Sequence, residues 1–336
     1  MQTKIVILNW NGAEHLRRFL PGVVAMTPAG VEIVVADNGS TDESAALVRR
    51  DFPSVRLLEL DRNYGYAEGY NRALAQLEAD CFVLLNSDIE TTEGWLEPLV
   101  ATLEAHPDVA AVAPKLRALN DRERFEYAGA SGGYLDYLGY PFCRGRILGT
   151  TEPDRGEYDD PRDLFWVSGA AFCCRAEVFR QLGGFDAWFF AHMEEIDLCW
   201  RMQLAGYRIR IVPQSVVYHL GGGTLAPNSP RKIYFNHRNN LAMLLKCASP
   251  AQRLTVIVLR PLLDLLAAGT YLLQGHGKAF CAVFKAYRDF LGHHRALLRQ
   301  RREIRSTAVK GRVTGIWGGS ILLRYLFGRH TFGKIL

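Results

Sequence analysis

The sequence predicts an α/β fold in which a sheet is flanked by helices. Three observations carry this. Over the first 120 residues, short apolar runs alternate with amphipathic stretches. Hydrophobic residues are 49% and charged residues 22% of the 336-residue chain, a globular balance that excludes a disordered or fibrous protein. Polar or acidic turns follow four successive apolar runs, the place where open α/β sheets bind ligands. At about 150 residues per domain, the length suits two domains, or one large domain with an extension.

The apolar runs Lys4–Leu8, Val31–Ala36, Val55–Leu60, Cys81–Leu85 and Val109–Ala113 read as buried strands. Between them, Glu14–Met26, Glu43–Phe52, Tyr66–Glu78 and Trp95–His106 read as helices, and this alternation predicts a doubly wound parallel sheet. The turns are Asn9-Trp10-Asn11-Gly12, Asp37 to Asp42, Asp61 to Gly65, and Asn86-Ser87-Asp88. Each alone is an ordinary turn, and Ser40 or Thr41 with Glu43 looks like a helix N-cap. Four at one sheet edge point to a site. No G-x-G-x-x-G follows the first strand, which argues against a dinucleotide-binding domain.

Residues 114–165 are rich in Gly, Pro, Tyr and Asp, and predict a hairpin with a mobile substrate loop. A strand over 166–172 leads into a helix over Ala176–Leu182. After a break at Gly183–Asp186, a second helix is read from Phe190 through Glu194-Glu195-Ile196-Asp197 to Ala205, with Gly206 as its C-cap. Acidic residues there suit the helix dipole, and Asp197 is read as structural. Trp166, Trp188 and Trp200 are read as core, as large aromatics at regular spacing usually are. Strands at Arg208–Val212 and Val216–Tyr218 lead to His219 and a flexible Gly221-Gly222-Gly223-Thr224, and residues 231–246 resume a helix.

The net charge of +5 conceals a split: residues 251–336 hold 15 Lys and Arg against 3 acids, so the tail is basic and the body acidic. That is not the pattern of a nucleic-acid binder; the tail suits an anionic surface. No signal peptide is read at the N-terminus. Leu254–Gln274 is the best candidate for a membrane span, but Arg260, Pro261 and Asp264 interrupt it, and a span is not favoured. Phe280, Val283, Phe284, Tyr287 and Leu291 recur at helical spacing among Lys and Arg. This fits helices lying in an anionic bilayer surface, or an ordinary helical domain with a solvated basic face. None of the seven Cys sits at C-x-x-C spacing, which points to a reducing compartment.

Taken together, I-L-N-W-N-G at 7–12, V-V-A-D-N-G-S-T-D at 34–42, N-Y-G-Y-A-E-G-Y-N at 63–71, L-L-N-S-D at 84–88, E-E-I-D-L at 194–198 and Y-H-L-G-G-G-T at 218–224 resemble the family-2 inverting glycosyltransferases of GT-A fold. The likeness is greatest to the rhamnosyltransferase-like group that builds bacterial surface polysaccharides. The resemblance spans residues 4 to about 245. It implies a mixed GT-A sheet in a catalytic domain over 1–245, with a nucleotide-sugar half (1–120) and an acceptor half (121–245). Residues 246–336 would then be a basic helical extension. Two departures stand out: Asn86-Ser87-Asp88 replaces the usual D-x-D, and Glu194-Glu195 replaces the usual Glu-Asp.

The resemblance further implies roles. Asp37 would hold a uracil or thymine ring, with Asn9, Asn63 and Asn86 assisting on the nucleotide and Arg238 on the phosphates. Asp88 would bind Mg²⁺ or Mn²⁺, with His219 as the second metal ligand or a direct contact to the phosphates. Glu195 would be the general base, with Glu194 as its alternate or as the group that orients the acceptor. Trp188 is nominated to stack on the acceptor sugar. The implied partners are a dTDP- or UDP-sugar donor, a saccharide or lipid-linked acceptor and an anionic membrane surface, with no nucleic acid. The implied location is cytoplasmic, peripheral at the inner face of the membrane. Two other readings compete: a sugar nucleotidylyltransferase, from the Gly-rich 221–227 loop, and a degenerate membrane scaffold, from Asn86.

Overall fold

The first half of the chain alternates as expected: β1 (Thr3–Asn9), α1 (Ala13–Ala25), β2 (Glu32–Asn38), α2 (Ser44–Asp51), β3 (Arg56–Leu60), α3 (Gly65–Leu74), β4 (Cys81–Leu85), β5 (Ile89–Thr91), α4 (Glu97–Ala105) and β6 (Val109–Ala118). These come from a computed structural model, which describes residues 1–221, 229–309, 311 and 313–335. Strands β3-β2-β1-β4 lie side by side and parallel. Val6, Val34, Phe82 and Leu84 face α3, while Ile5, Ile7, Ile33, Val35 and Val83 face α1, α2 and α4. Both faces are covered, which is why these strands are apolar throughout instead of alternating.

The next elements are β7 (Asp121–Phe125), β8 (Gly133–Asp136), β9 (Pro141–Cys143), β10 (Arg146–Ile147), β11 (Thr150–Thr151), β12 (Arg162–Asp163), β13 (Ala171–Arg175), α5 (Ala176–Gln181), α6 (Glu194–Leu204) and β14 (Arg208–His219). They make the sheet mixed rather than wholly parallel. β13 lies between β4 and β6 and is antiparallel to both, whereas β14 runs parallel to β6. β13 also starts later than the expected 166–172. The Tyr66 hydroxyl takes the Gly169 carbonyl (2.6 Å), and the Ser168 hydroxyl accepts from the Ala170 N–H (3.2 Å), so these residues make a turn. The two strands expected at 208–218 are one, with a register shift between Val212 and Val216.

Residues 114–165 hold more structure than a hairpin and a loop. Strands β8 to β11 form a second sheet. After α7 (Pro230–Cys247), α8 (Pro250–Leu273) and α9 (Gly277–Thr307), the chain returns to that sheet. β15 (Ile316–Trp317) pairs parallel with β8, and α10 (Ile321–Leu326) follows. Buried Asp136 accepts from the Ile321 N–H (3.0 Å), and Phe332 packs among Tyr134, Phe142 and Tyr158. The stretch expected as one helical extension over 246–336 is therefore built of long helices only to Thr307; after it the chain adds β15 to the small sheet and the short α10.

Helix α8 is amphipathic in reverse. Its inward side carries Arg260 and Asp264, both buried. Arg260 donates to the Asn240 amide oxygen (2.6 Å) and the Leu138 carbonyl (3.0 Å); Asp264 accepts from the Tyr287 hydroxyl (2.7 Å) and lies 3.3 Å from His237 Nδ1. Its outward side is apolar: Leu254, Ile257, Val258, Leu262, Leu265 and Leu266 are each 53–68% exposed. The charges that interrupt the apolar run thus face α7 and α9. Among the described residues α8 is the one helix long and apolar enough to cross a membrane. The stripe expected on α9 divides: Val283 is buried against α7, while Phe284 and Leu291 are exposed.

Candidate active site

The carboxyl ends of β1, β2 and β4 form the site's first wall. Asp37, at the end of β2, is buried; its carboxylate accepts from the Asn9 amide (3.2 Å) and the Ser40 N–H (2.9 Å). Asn9 is thereby a holder of Asp37, and its own side-chain oxygen is buried without a partner. Gly39 has φ +69°, and a Cβ there would lie 2.4 Å from the Arg62 backbone, so the turn after Asp37 requires glycine. The expected N-cap at Ser40 or Thr41 is not formed: the residue before α2 is Glu43, which makes no side-chain cap bond, and Asp42 ahead of it accepts from the first N–H of α1, Ala13, and of α2, Ser44 (both 3.0 Å). Asn63 uses its amide oxygen on the Asn38 amide (3.3 Å) and the Gly65 N–H (2.8 Å), a turn-holding role. Asn86 is fixed through its N–H to the Ala170 carbonyl (2.9 Å).

Strand register brings Asp88 to His219. β5 pairs antiparallel with β14, placing His219 opposite Ile89, next to Asp88. His219 Nε2 lies 3.2 Å from an Asp88 carboxylate oxygen. On the other side of the ring, Nδ1 lies 3.3 Å from Glu126. Glu126 follows β7 and is buried, with its N–H on the Leu116 carbonyl (3.0 Å). Burial alone would lower the His219 pKa, but the two carboxylates outweigh it and raise it to about 10. Burial would raise the Asp88 pKa; the imidazole reverses this and lowers it.

The opposite wall is the start of α6. Phe190, His192 and Met193 all adopt positive φ (64°, 71° and 73°), a strained approach for residues with side chains. The strain is held from outside. Asn239 donates to the carbonyls of Phe189, Ala191 and His192 (2.7–3.0 Å), and the Tyr66 N–H at the start of α3 donates to Phe190 (2.7 Å). This turn delivers Glu194 and Glu195 with one carboxylate oxygen of each buried and unpartnered. Burial raises the Glu195 pKa to about 7. Burial, with Glu195 beside it, raises that of Glu194 well above the usual carboxylate range.

The sequence model of glycosyl transferase family 2 matches residues 4–174, half of the chain and the whole of the first wall. The chain belongs to glycosyl transferase family 2. It is 30% identical over 233 residues to an N-acetylglucosaminyl-diphospho-decaprenol L-rhamnosyltransferase of Mycobacterium tuberculosis, covering 64% of this chain and 75% of that one. It is also 30% identical over 223 residues to a pre-mycofactocin glycosyltransferase of the same species, covering 64% of this chain and 42% of the relative. Among solved structures, GalNAc-T7 with UDP, GalNAc and Mn²⁺ superposes with TM-score 0.59 at 18% identity, over 73% of this chain and 48% of that one. Staphylococcus aureus TarS 1–349 with UDP-GlcNAc gives 0.56 at 15% identity, over 91% of each chain. The fold is GT-A, and the protein is a glycosyltransferase.

Two residues expected in this family 2 transferase's site have other work. Arg238 is buried, and its guanidinium donates to the carbonyls of Trp188 (2.6 Å) and Phe189 (2.9 Å), the Asn239 amide oxygen (2.9 Å) and the Tyr234 hydroxyl (3.1 Å). With those donors taken it braces the strained turn instead of meeting phosphates. Trp188 stacks on His293 of α9 (4.3 Å between centroids, 8° apart) with the Arg238 guanidinium 4.2 Å from its ring centroid. Its ring is therefore engaged within the protein and not presented to a sugar. α7 also brings cations near the site: Lys232, half-buried, its pKa lowered by burial, and Arg231, over the Phe190 ring. Asp197 is structural, as expected: it is fully buried and pairs with Arg201 (2.8 Å) and Lys246 (2.9 Å). Trp166 and Trp200 are core. Of the Gly-rich 221–224 segment, residues 222–224 lie outside the described residues, as does most of the 221–227 loop.

The sequence reading missed Glu126, Asn239 and Lys232. Glu126 stands in an irregular stretch with no motif around it, and only strand pairing carries it to His219. Asn239 adjoins Arg238 on a helix whose periodicity assigns it to the core.

Proposed function

We propose that the protein moves rhamnose or another hexose from a dTDP- or UDP-sugar to a saccharide acceptor, with inversion, in cell-surface polysaccharide synthesis. The observation that carries this is Glu195: a half-buried carboxylate with one oxygen buried and unpartnered, its pKa raised to about 7 beside a second glutamate raised further. A general base works best with a pKa near the working pH. The pair titrates as a unit, and Glu195 is the member that ionises first. It takes the proton of the acceptor hydroxyl while Glu194, still protonated, orients the acceptor. Attack from that side displaces the diphosphate in line, which inverts the anomeric centre. Asp37, held by Asn9 and Ser40, accepts from the imide N–H of the base.

Among the described residues no three His, Cys, Asp or Glu side chains form a metal cage. Asp88 and His219 nonetheless fit a divalent ion that takes its other ligands from a diphosphate, provided that the ion displaces the proton the two carboxylates hold on the ring: one hard carboxylate and one imidazole lie 3.2 Å apart, with Glu126 behind the ring. Mg²⁺ or Mn²⁺ there would neutralise the leaving group, and the imidazole favours Mn²⁺. Lys232 adds a positive charge on the same side. Asp88→Ala is expected to abolish Mn²⁺-dependent donor turnover; activity like the wild type's would remove the metal assignment. Glu126→Gln is expected to weaken Mn²⁺ activation by roughly 10–100-fold. An unchanged Mn²⁺ titration would show that Glu126 does not orient His219.

The acceptor is proposed to be lipid-linked, as the name of the mycobacterial rhamnosyltransferase indicates for that relative. The outward face of α8 supports this: a continuous apolar face beside a basic helix suits docking on the cytoplasmic face of an anionic membrane. Flotation with anionic vesicles tests it. Loss of binding in Val258→Asp/Leu262→Asp is the expected result, and no flotation of the wild type would end the membrane reading.

A further inference from the structure

We infer that a pocket between the start of α8 and the end of α9 binds the phosphate of an anionic lipid headgroup. It has a volume of about 290 Å³ and is lined by Arg253, Leu298, Arg301, Arg302 and Arg305. Four guanidinium groups around one small cavity repel one another, and among the described residues none of them is in a salt bridge.

Part of the cluster has a structural purpose. Arg301 Nη1 donates to the carbonyls of Leu245, Lys246 and Ala248 (2.8–3.1 Å), and Arg305 Nη2 donates to those of Cys247 and Ala248 (2.6 and 2.8 Å). These oxygens close the negative end of α7. This fixes the two arginines but occupies only one terminal nitrogen of each. The Arg305 Nε is buried without a partner. The guanidinium groups of Arg253 and Arg302 make no hydrogen bond among the described residues and serve no cap. Burial and the charges of Arg305 and Arg253 push the Arg301 pKa down, the mark of positive charges crowded without an anion. Two arginines held rigid and two free to close give the donor fork that suits a phosphate.

The location selects the source of that phosphate. Arg253 immediately precedes Leu254 and lies one turn before Ile257, both on the exposed apolar face of α8. An interfacial helix sinks its apolar side just below the headgroups, so a pocket at its flank stands at phosphate level. This rests on the membrane docking proposed above and adds the ligand that orients it.

The test uses the full chain, wild type and Arg253→Gln/Arg302→Gln, which leaves both caps of α7 intact. Vesicles are phosphatidylcholine alone, or with about one third phosphatidylglycerol. The wild type is expected to bind the anionic vesicles more tightly, and the double variant to lose about tenfold or more of that affinity with an unchanged melting temperature. Equal affinity of the two proteins for anionic vesicles overturns the pocket. So does a pocket that serves only free anions: inorganic phosphate raising the melting temperature of the wild type but not of the variant, with equal flotation of both. If Val258→Asp/Leu262→Asp detaches while the arginine variant does not, the docking reading stands and the pocket alone fails. If the wild type binds neither vesicle, the docking reading fails first.

Discussion

Glu195→Gln is expected to lower the transfer rate by about 10²–10⁴ while leaving donor binding near the wild-type level, because a positioned base contributes on that scale and the amide keeps the shape of the side chain. Isothermal titration with UDP or dTDP and a turnover assay on the same preparation separate the two effects. If Glu194→Gln shows this behaviour instead, the two glutamates exchange roles. The pH profile carries a second signature. Glu195 must be ionised to act, so turnover of the wild type should rise as pH passes through about 7. The same shift has a stability consequence of fixed sign. The folded pKa lies above the unfolded one, so between about 4.5 and 7 the folded state holds a proton that the unfolded state has released. Stability contributed by this group therefore falls as pH rises across that window and stays low above it. Glu195→Gln removes the penalty and should be more stable than the wild type at pH 8 but not at pH 4. A variant inactive yet no more stable at pH 8 would show that the carboxylate is not held against burial. The active site is thus expected to be bought with stability, as the strained turn before α6 also indicates.

Asp264→Ala is expected to destabilise the protein by about 3–5 kcal/mol, since it strands a buried cation. Arg260 is 2% exposed and Asp264 1%, and their partners come from α7, α9 and the loop before β9. Chemical denaturation measures this, and a loss below about 1 kcal/mol would mean that water reaches the pair. Arg260→Met/Asp264→Leu should recover most of the loss, because replacing both partners by apolar groups leaves no unpaired charge. The pair determines which side of α8 faces the protein. With these two charges turned inward, the outward face from Leu254 to Leu266 is left apolar.

Much of the fold was legible in the sequence. Apolar runs of strand length, helices between them and polar turns after them give β1 to β4, because a doubly covered strand admits few polar residues. The turns then mark the site edge, and Asp37, Asp88, Glu194 and Glu195 all lie there or at the start of α6. The site was legible where a residue's chemistry and its motif agreed. It was not legible for Arg238, since an arginine on a helix reads alike whether it meets a phosphate or five neighbouring groups, nor for Trp188, whose ring is taken by His293 from a helix more than a hundred residues later in the chain.

The sequence by itself determined the strand–helix alternation, the carboxylates offered for catalysis and the basic tail. These are local: periodicity, turn chemistry and charge are written residue by residue. Only the tertiary structure decided the antiparallel β13, the return of the chain's end to the small sheet, the pairing of Glu126 with His219, and the inward turn of Arg260 and Asp264. Each of these is a contact between segments far apart in the chain. Pairwise burial and hydrogen-bond satisfaction choose among such contacts, and no local pattern records that choice.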